Sequence, residues 1–401
     1  MGKNFPDFVF HILLFLPFNS YLCAKFQERM ALKIVKSLLV AVFSLSICFF
    51  YNVSFSQDTP PHDGAEAHPK IGTEKEEPFD AAATILEHIR DQHSWHLWGH
   101  NSIPLPVIIK TDKGFEVFSS AKLVGEHHEP IVYNGNYSYK LFEDKIKIVN
   151  ADGTLDEEAS KKVFDISITK NVVSMFLTVF VLILLFTSVA RAYQKTGINS
   201  APKGFQSFIE PIILFVRDEI AKPYLGHAYT RFMPFLLTVF FFIWINNILG
   251  LIPFFPGGAN VSGNIAFTLT LALFTFIIVN VNGKKDYWVH IFWMPGLPTV
   301  MKAFLMPIEV LGVFIKPISL TIRLFANITA GHILVLSLIS LIFIFKAVSA
   351  SAMAVPFAVF IDIIELLVGF LQAFIFAMLS ALYIGMAIEE HHDHHEDIPV
   401  I

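Results

Sequence analysis

The chain has 401 residues, of which 54% are hydrophobic, and 42 of them are phenylalanine. This apolar content exceeds that of soluble proteins and indicates a protein with several membrane-spanning segments. The formal net charge of −5 is small and no basic stripe with interleaved aromatic residues occurs, which argues against nucleic acid as a partner. Only Cys23 and Cys48 are present, and no disulfide or thiol chemistry is expected from them.

The N-terminal residues are predicted to be absent from the mature protein. Residues 1–29 contain an apolar run and are interpreted as an upstream extension, the alternative being an extra membrane anchor. From Met30 the sequence has a basic stretch, an apolar core and small residues suited to cleavage before Gln57. The apolar core is short for a membrane span, so residues 30–56 are predicted to be a secretory signal peptide.

A linker and a small soluble domain follow. Residues 57–78 are polar and lack the apolar side chains needed for a core, so they are expected to form a flexible linker. Residues 79–167 have the composition of an α+β domain, which is expected in the periplasm. Segment Phe79–His96 suits a helix, whereas strand-like segments 103–109 and 115–118 flank an Asp-Lys-Gly turn and predict a hairpin.

Three histidines in the predicted helix raise the question of a metal site. His93, His96 and His100 would share one helical face and could approach a metal ion. No acid or cysteine completes a ligand set, and Trp95 and Trp98 alternate with the histidines. The favoured interpretation is an amphipathic interface near the membrane.

The first predicted spans follow the soluble domain. Residues 172–190 are uncharged and are followed by Arg191, which indicates a helix that runs from outside to inside. Segment 204–222 is amphipathic and is predicted to lie on the inner face. Residues 232–283 are uncharged and long enough for two spans, with a Pro-Gly-Gly-Ala-Asn turn near the middle. The lysines that follow mark another inner loop.

Two long apolar segments complete the predicted membrane domain, residues 168–390. Segments 303–345 and 354–388 exceed the roughly 20 residues of a perpendicular span, so tilted or bent helices are expected. The predicted fold class is thus an all-α polytopic membrane protein of five helices with an N-terminal α+β domain. The tail, residues 391–401, is expected inside; its histidines could bind a metal or sense pH, although a solvated cluster is the simpler interpretation.

A single arginine stands out within the penultimate apolar segment. Between Lys316 and Lys346 no residue other than Arg323 is formally charged, and its burial in a bilayer should cost several kcal/mol. Glu309 lies fourteen residues earlier, which is about 20 Å along a helix. The partner of Arg323 is therefore expected on another chain.

The residues around this arginine carry a family resemblance. The string Ser-Leu-Thr-Ile-Arg-Leu-Phe-Ala-Asn-Ile-Thr-Ala-Gly-His, from Ser319 to His332, resembles subunit a of the rotary F-type ATP synthase, as does Leu-Gln-Ala-Phe-Ile-Phe at 371–376. The resemblance implies a proton-translocating stator subunit that is not a hydrolase and needs no cofactor. It implies as partners a ring of c subunits, subunit b of the peripheral stalk and the rest of the complex, in a bacterial inner membrane.

The resemblance also implies roles for particular residues. It places Arg323 opposite the essential carboxylate of the c ring, between two aqueous half-channels. Arginine suits this position because it keeps its charge when desolvated and so cannot relay a proton. The other residues assigned to proton translocation are Glu309, Asn327, His332, Glu365 and Gln372, with secondary roles for Ser319 and Asp362.

Helical spacing groups some of these residues. Glu309, Lys316, Arg323 and Asn327 fall within a narrow arc at 100° per residue and form one polar stripe. His332 follows Arg323 by nine residues, so it points to roughly the opposite side of an ideal helix. The two residues are therefore expected to serve different compartments.

The last apolar segment carries the acids that face this helix. Glu365 and Gln372 are seven residues apart and share a face, with Asp362 one turn earlier. An internal salt bridge between His332 and Glu365 and a proton relay are both compatible with this pattern. Well-known bacterial members of the family carry the two residue types in exchanged positions.

Other functions are less consistent with the sequence. A secondary transporter that binds an anion at Arg323 predicts inverted repeats, and no such symmetry is found. A membrane metalloenzyme would need the two histidine clusters on the same side of the membrane. The coupling ion is selected by a carboxylate of the ring, so this sequence allows H⁺ or Na⁺.

Overall fold

The computed structural model describes residues 81–98, 101–125, 129–142, 144–150, 152–196, 204–252, 255–345 and 348–389. The predicted upstream extension, signal peptide, linker and histidine-rich tail lie outside the described residues. Within them, a small α+β domain precedes a helical membrane domain.

The N-terminal domain combines short helices with three antiparallel sheets. Its helices are α1 (Ala81–Ile89) and α2 (Glu157–Ser160). Its strands are β1 (Ser94–Trp98), β2 (Asn101–Pro104), β3 (Pro106–Thr111), β4 (Gly114–Ser119), β5 (Tyr133–Asn134), β6 (Ser138–Phe142), β7 (Lys145–Ile148) and β8 (Phe164–Asp165). The sheets are β1-β2, β4-β3-β8 and β5-β6-β7. The sheets β4-β3-β8 and β5-β6-β7 contribute to one core, which consists of Val107, Ile109, Phe118, Leu123, Tyr139, Ile146 and Ile148. The predicted α+β class is confirmed.

The predicted hairpin is present as β3 and β4. The two strands pair in antiparallel register along their whole length. Val107 and Ile109 are fully buried and alternate with more exposed neighbours, as expected for a strand with one face on a core. Gly114 has a φ of +121°, which favours glycine at the end of the turn. The predicted first strand, 103–109, is divided between β2 and β3.

The prediction of one helix over Phe79–His96 is wrong in its second half, because α1 ends at residue 89 and β1 follows. His93 and His96 therefore do not share a helical face, and His100 lies outside the described residues. Residues after 89 do not continue the helix because they have partners that are distant in the sequence. β1 pairs with β2, which satisfies its backbone groups, and His93 Nε2 lies 2.9 Å from Asp165 Oδ2.

The pair of His93 and Asp165 is a partly buried ionic contact within the N-terminal domain. Burial alone would lower the pKa of His93, but the hydrogen bond and charge of Asp165 outweigh it and raise that pKa. Burial alone would raise the pKa of Asp165, but His93 and the Ser167 hydroxyl hold it below its usual range. Among the described residues, no three His, Cys, Asp or Glu side chains are grouped to hold a metal ion.

The membrane domain is entirely helical. Its helices are α3 (Lys170–Thr196), α4 (Phe205–Phe215), α5 (Lys222–Leu225), α6 (Tyr229–Leu251), α7 (Ile265–Asn282), α8 (Lys285–Phe292), α9 (Thr299–Phe345) and α10 (Val348–Ile388). Within the described part of the chain, five helical segments are long and apolar enough to cross a membrane: α3, the segment ending with α6, α7, α9 and α10. The prediction of an all-α polytopic domain is confirmed.

The middle of the membrane domain is a helical hairpin, α6 and α7, joined by a loop at residues 255–264. The predicted Pro-Gly-Gly-Ala-Asn turn lies in this loop, where Ala259 and Val261 are buried. Asn264 caps α7, since its side chain accepts a hydrogen bond from the backbone N–H of Ala266 at 2.9 Å. The loop is therefore packed and capped rather than fully exposed.

The amphipathic segment 204–222 is helical as predicted. It consists of α4 and a π-helical segment, Val216–Ala221, which leads into α5. Ile209 and Ile220 are buried in the main core of the membrane domain. A methyl group at Gly385 of α10 would lie 2.1 Å from a backbone oxygen of α5, so this glycine permits close packing.

Helices α9 and α10 are the longest and least covered elements. They are antiparallel neighbours of 47 and 41 residues, as the long apolar segments predict. In their most apolar windows only 17% and 22% of residues are buried, compared with 61% in the segment that ends with α6. The pair therefore offers a broad apolar surface to lipid or to another subunit.

Candidate functional site

The predicted polar stripe lies on one continuous helix. α9 runs without interruption through Pro307 and Pro317, so the helical spacing used for the prediction applies along its length. Glu309, Arg323 and the intervening Lys316 are each partly exposed on it. Glu309 and Arg323 are about 20 Å apart along this helix and do not meet.

Arg323 has no anionic partner within the described part of the chain, and its one electrostatic neighbour there is the uncharged side chain of Tyr383. Arg323 makes no hydrogen bond and no ion pair with any residue that the structure describes. Ser319 and Asn327, one turn to either side, are exposed, and Ile322 is 53% exposed. The guanidinium thus lies on a surface of α9 that another molecule can reach.

Two contacts align α9 with α10. Lys316 Nζ lies 5.4 Å from the ring centroid of Tyr383, and His332 contacts Glu365. Interpolation between these contacts places Arg323 near the level of residues 374–376 of α10. Gln372, which is 5% exposed, therefore lies within about one helical turn of Arg323 along the axis.

The predicted contact between His332 and Glu365 is present. Nδ1 of His332 meets Oε1 of Glu365, and the two side chains are 16% and 4% exposed. A buried carboxylate needs such a partner, because an unpaired charge is costly in a low-dielectric interior. Neither carboxylate oxygen makes a hydrogen bond among the described residues, and Oε2, which also lacks the ionic contact, is available to a water molecule or a proton.

One glycine gives the carboxylate of this pair its space, and a second glycine lies near the imidazole. A methyl group at Gly331 would lie 2.8 Å from Glu365 Cδ, which real side chains do not tolerate. A methyl group at Gly250, near the end of α6, would lie 3.6 Å from His332 Nε2. The carboxylate of Glu365 therefore lies close against the backbone of α9, whereas the imidazole is only an ordinary contact distance from the end of α6.

Sequence reasoning missed two buried asparagines that lie next to this region. Asn246 and Asn247 on α6 are 1% and 5% exposed. The Thr178 hydroxyl of α3 donates to Asn246 Oδ1 at 3.0 Å, and Asn247 Nδ2 donates to the Gly369 carbonyl of α10 at 2.9 Å. Adjacent amides inside the uncharged stretch 232–283 were the available signal. They can orient water without titrating.

The remaining predicted residue, Asp362, is exposed on α10 and lies one turn before Glu365. The structure thus brings together His332 and Glu365, and it places Gln372 close to the level of Arg323. It does not bring Glu309 or Asp362 into contact with Arg323 among the described residues.

Comparison with known proteins covers both parts of the chain. The family model described as ATP synthase A chain matches residues 172–385, and one described as a domain of unknown function, DUF8433, matches residues 84–166. The chain is 45% identical over 239 residues to ATP synthase subunit a of Chloroherpeton thalassium, covering 58% of this chain and 70% of that protein. It is 47% identical over 241 residues to ATP synthase subunit a 2 of Chlorobaculum tepidum, with coverages of 58% and 67%.

A third relative gives the same result. The chain is 44% identical over 240 residues to ATP synthase subunit a of Myxococcus xanthus, covering 58% of this chain and 76% of that protein. The fold and the site define a multi-pass membrane protein with an arginine on a long apolar helix that forms no ion pair with the described residues of its own chain. The chain belongs to the ATP synthase subunit a family, the proton-translocating component of the membrane sector Fo.

Proposed function

We propose that this chain is the stator subunit that guides protons to and from a rotating c ring, with Arg323 facing the ring. The observation that carries the proposal is the position of Arg323 on an exposed surface of α9 without any hydrogen-bonding or ionic partner in the described residues. A cation at membrane depth needs a compensating anion. A carboxylate on each passing ring subunit supplies that anion.

The chemistry of arginine explains how the ring is driven. A ring carboxylate that approaches Arg323 is stabilised in its ionised form, so it must release its proton before it passes. The guanidinium keeps its own proton even when it is desolvated, and it therefore cannot connect the two half-channels. Protons must consequently travel with the ring, and their flow is coupled to rotation.

The two half-channels are assigned to opposite parts of α9. The pair of His332 and Glu365, with Asn246 and Asn247 beside it, lines the outer half-channel, where a coupled imidazole and carboxylate exchange protons as a unit. The other side of Arg323 carries Glu309, which lines the inner half-channel. Three uncharged residues complete the assignment by orienting water or the guanidinium: Ser319, Asn327 and Gln372.

The chain itself is proposed to be non-catalytic. No Gly-x-x-x-x-Gly-Lys phosphate-binding loop occurs in the sequence, so ATP chemistry belongs to other subunits of the complex. The proposed orientation has the N-terminal domain outside and the C-terminus inside, because Arg191 and the lysines at 284–285 follow the first and third spans. Cleavage before Gln57 would leave residues 57–78 as a linker ahead of the domain at 79–167.

Purification in mild detergent, followed by mass analysis of co-purifying chains, tests this function. We expect a small proteolipid c subunit, subunit b and the catalytic head. Recovery of the chain without the proteolipid and the head would overturn the proposal.

The orientation has its own test. Terminal sequencing should find a mature N-terminus near Gln57, and protease added to right-side-out preparations should digest residues 79–167. Digestion of that domain only in inverted preparations would reverse the proposed topology.

A further inference from the structure

A short segment near the start of the N-terminal domain, which contains Asp91 and Gln92, is hydrogen-bonded to the first residues of the membrane helix α3. The Asp91 carboxylate accepts hydrogen bonds from the Asn171 backbone N–H at 3.0 Å and from the Thr169 hydroxyl at 2.8 Å. The Gln92 carbonyl accepts from the Lys170 backbone N–H at 2.9 Å. Asp91 thus caps the N-terminus of α3, where a negative charge is favoured.

Four residues later the same segment contacts a second part of the membrane domain. Trp95 is 2% exposed, and its Nε1 donates to the carbonyl of Gly257 at 3.2 Å. Its ring packs edge-on against Phe255, with centroids 5.4 Å apart. Both partners belong to the α6–α7 loop, residues 255–264. Trp95 thus lies at an interface with the membrane domain, although it is on a strand rather than on a helix.

The α6–α7 loop leads directly to the pair of His332 and Glu365. The Gly258 backbone N–H donates to the Leu249 carbonyl at 3.1 Å, which folds the loop back onto α6. A methyl group at Gly250 would lie 3.3 Å from the Ala259 carbonyl on one side and 3.6 Å from His332 Nε2 on the other. The end of α6 at Gly250 therefore lies between the α6–α7 loop and the imidazole of His332.

Polar groups in this loop are buried without partners. Asn260 Nδ2 and Ser262 Oγ have no hydrogen-bond partner among the described residues, and the two residues are 6% and 2% exposed. Buried polar atoms in native proteins are generally satisfied, often by ordered water. A loop with such atoms beside a titratable pair is suited to hold water on a proton path.

We propose that the N-terminal domain positions the outer proton path, with Trp95 as a positioning residue that holds the 255–264 loop over the pair of His332 and Glu365. This inference rests on the proposed function and extends it to a domain that lies outside the residues matched by the subunit a family. Asp91 and Trp95 set the distance between α3 and the loop, since one short segment carries both contacts.

The first test measures how tightly the loop is held. Ser262→Cys, in a Cys23→Ser, Cys48→Ser background of the full chain, is labelled with a water-soluble thiol reagent in the assembled complex. Trp95→Ala should raise the labelling rate by at least about fivefold, because the loop loses both the hydrogen bond and the packed ring. Trp95→Phe keeps a ring and should raise the labelling rate above that of the wild type, but by less than Trp95→Ala. It also provides the test if Trp95→Ala fails to assemble. Phe115→Ala changes an aromatic of the same domain that is 66% exposed, and it should leave labelling unchanged.

The second test measures ATP synthesis by the reconstituted complex while the pH on the outer side is varied. Several titratable groups lie on the elements around the loop and the pair: Asp91, His93, Asp144, Asp165, Lys170, His332, Asp362 and Glu365. Trp95→Phe should move the midpoint of this profile by about 0.5 pH unit or more, because displacement of the loop changes the surroundings of the pair. Phe115→Ala should not move it.

The outcomes separate this inference from the proposed function. Unchanged labelling, or an unchanged outer pH profile, in Trp95→Phe would show that the domain does not position the loop. Coupled synthesis that survives Arg323→Ala would instead refute the proposed function, whatever the Trp95 variants do.

Discussion

His332 and Arg323 lie on the same helix, α9, but differ in whether the described chain supplies an ionic partner. His332 is largely buried near α6 and α10 and contacts Glu365, whose carboxylate in turn has its space because residue 331 is a glycine. Arg323, nine residues earlier, lies on a surface of α9 with no ionic partner in the described chain. The ionic contact of His332 thus lies within this chain, whereas the proposed function supplies the guanidinium with a carboxylate from another chain.

The largest expected effect comes from removing the charge that has no ionic partner in the described chain. Arg323→Ala should abolish coupled ATP synthesis while the complex still assembles, and Arg323→Lys should not restore it, because a buried lysine can lose its proton. ATP synthesis by reconstituted complex is the measurement. Ile322→Ala, at an exposed neighbour, serves as the control and should retain synthesis. Normal coupling in Arg323→Lys would show that a permanent charge is not required.

The next effect comes from breaking the ionic contact that lies within the chain. His332→Ala or Glu365→Ala leaves the other residue without its partner in a buried site, which should slow proton flux strongly. The double exchange His332→Glu with Glu365→His should recover much of the flux, since it keeps the same two groups. Proton pumping by the reconstituted complex measures this. A double exchange no better than the worse single variant would contradict a pairwise role.

A smaller effect on proton pumping should follow from a steric change next to His332 and Glu365 that leaves both residues in place. Gly331→Ala places a methyl group 2.8 Å from Glu365 Cδ and should displace the carboxylate, at a cost of about 1–3 kcal/mol. Proton pumping should fall several-fold. Gly312→Ala on the same helix has no neighbour within 4 Å and is the matched control. Equal pumping by the two variants would mean that the clearance at Gly331 is unimportant.

The smallest effect on transport is expected at the other His–carboxylate pair, in the N-terminal domain. The raised pKa of His93 means that its contribution to stability is present below about pH 6.5 and is lost as pH rises through the folded pKa. The lowered pKa of Asp165 means that its contribution is present above about pH 4 and is lost as pH falls through the folded pKa.

Hydrogen exchange of the β1 and β8 amides in the full chain, corrected for intrinsic rates, measures this pH dependence. Protection should be greatest between the two limits, and His93→Gln should remove the alkaline loss, which is on the order of 1 kcal/mol. A wild-type profile identical to that of His93→Gln would contradict a charged pair.

The sequence by itself determined the class of protein, the family and the isolation of Arg323. These features are one-dimensional: runs of about 20 uncharged residues predict spans, a local signature predicts the family, and the absence of acids near Arg323 can be counted along the chain. The β3–β4 hairpin was predictable for the same reason, since its alternation and its turn are local.

Only the tertiary structure decided which distant groups meet. His93 contacts Asp165, 72 residues away, and Trp95 contacts Gly257, 162 residues away; no periodicity within a helix or strand encodes either pairing. The incorrect helix at His93 and the missed asparagines of α6 share this cause. The contact between His332 and Glu365 was anticipated from the family, but the close approach at Gly331 that permits it depends on how α9 and α10 pack, because backbone clearance between helices is a property of three-dimensional packing.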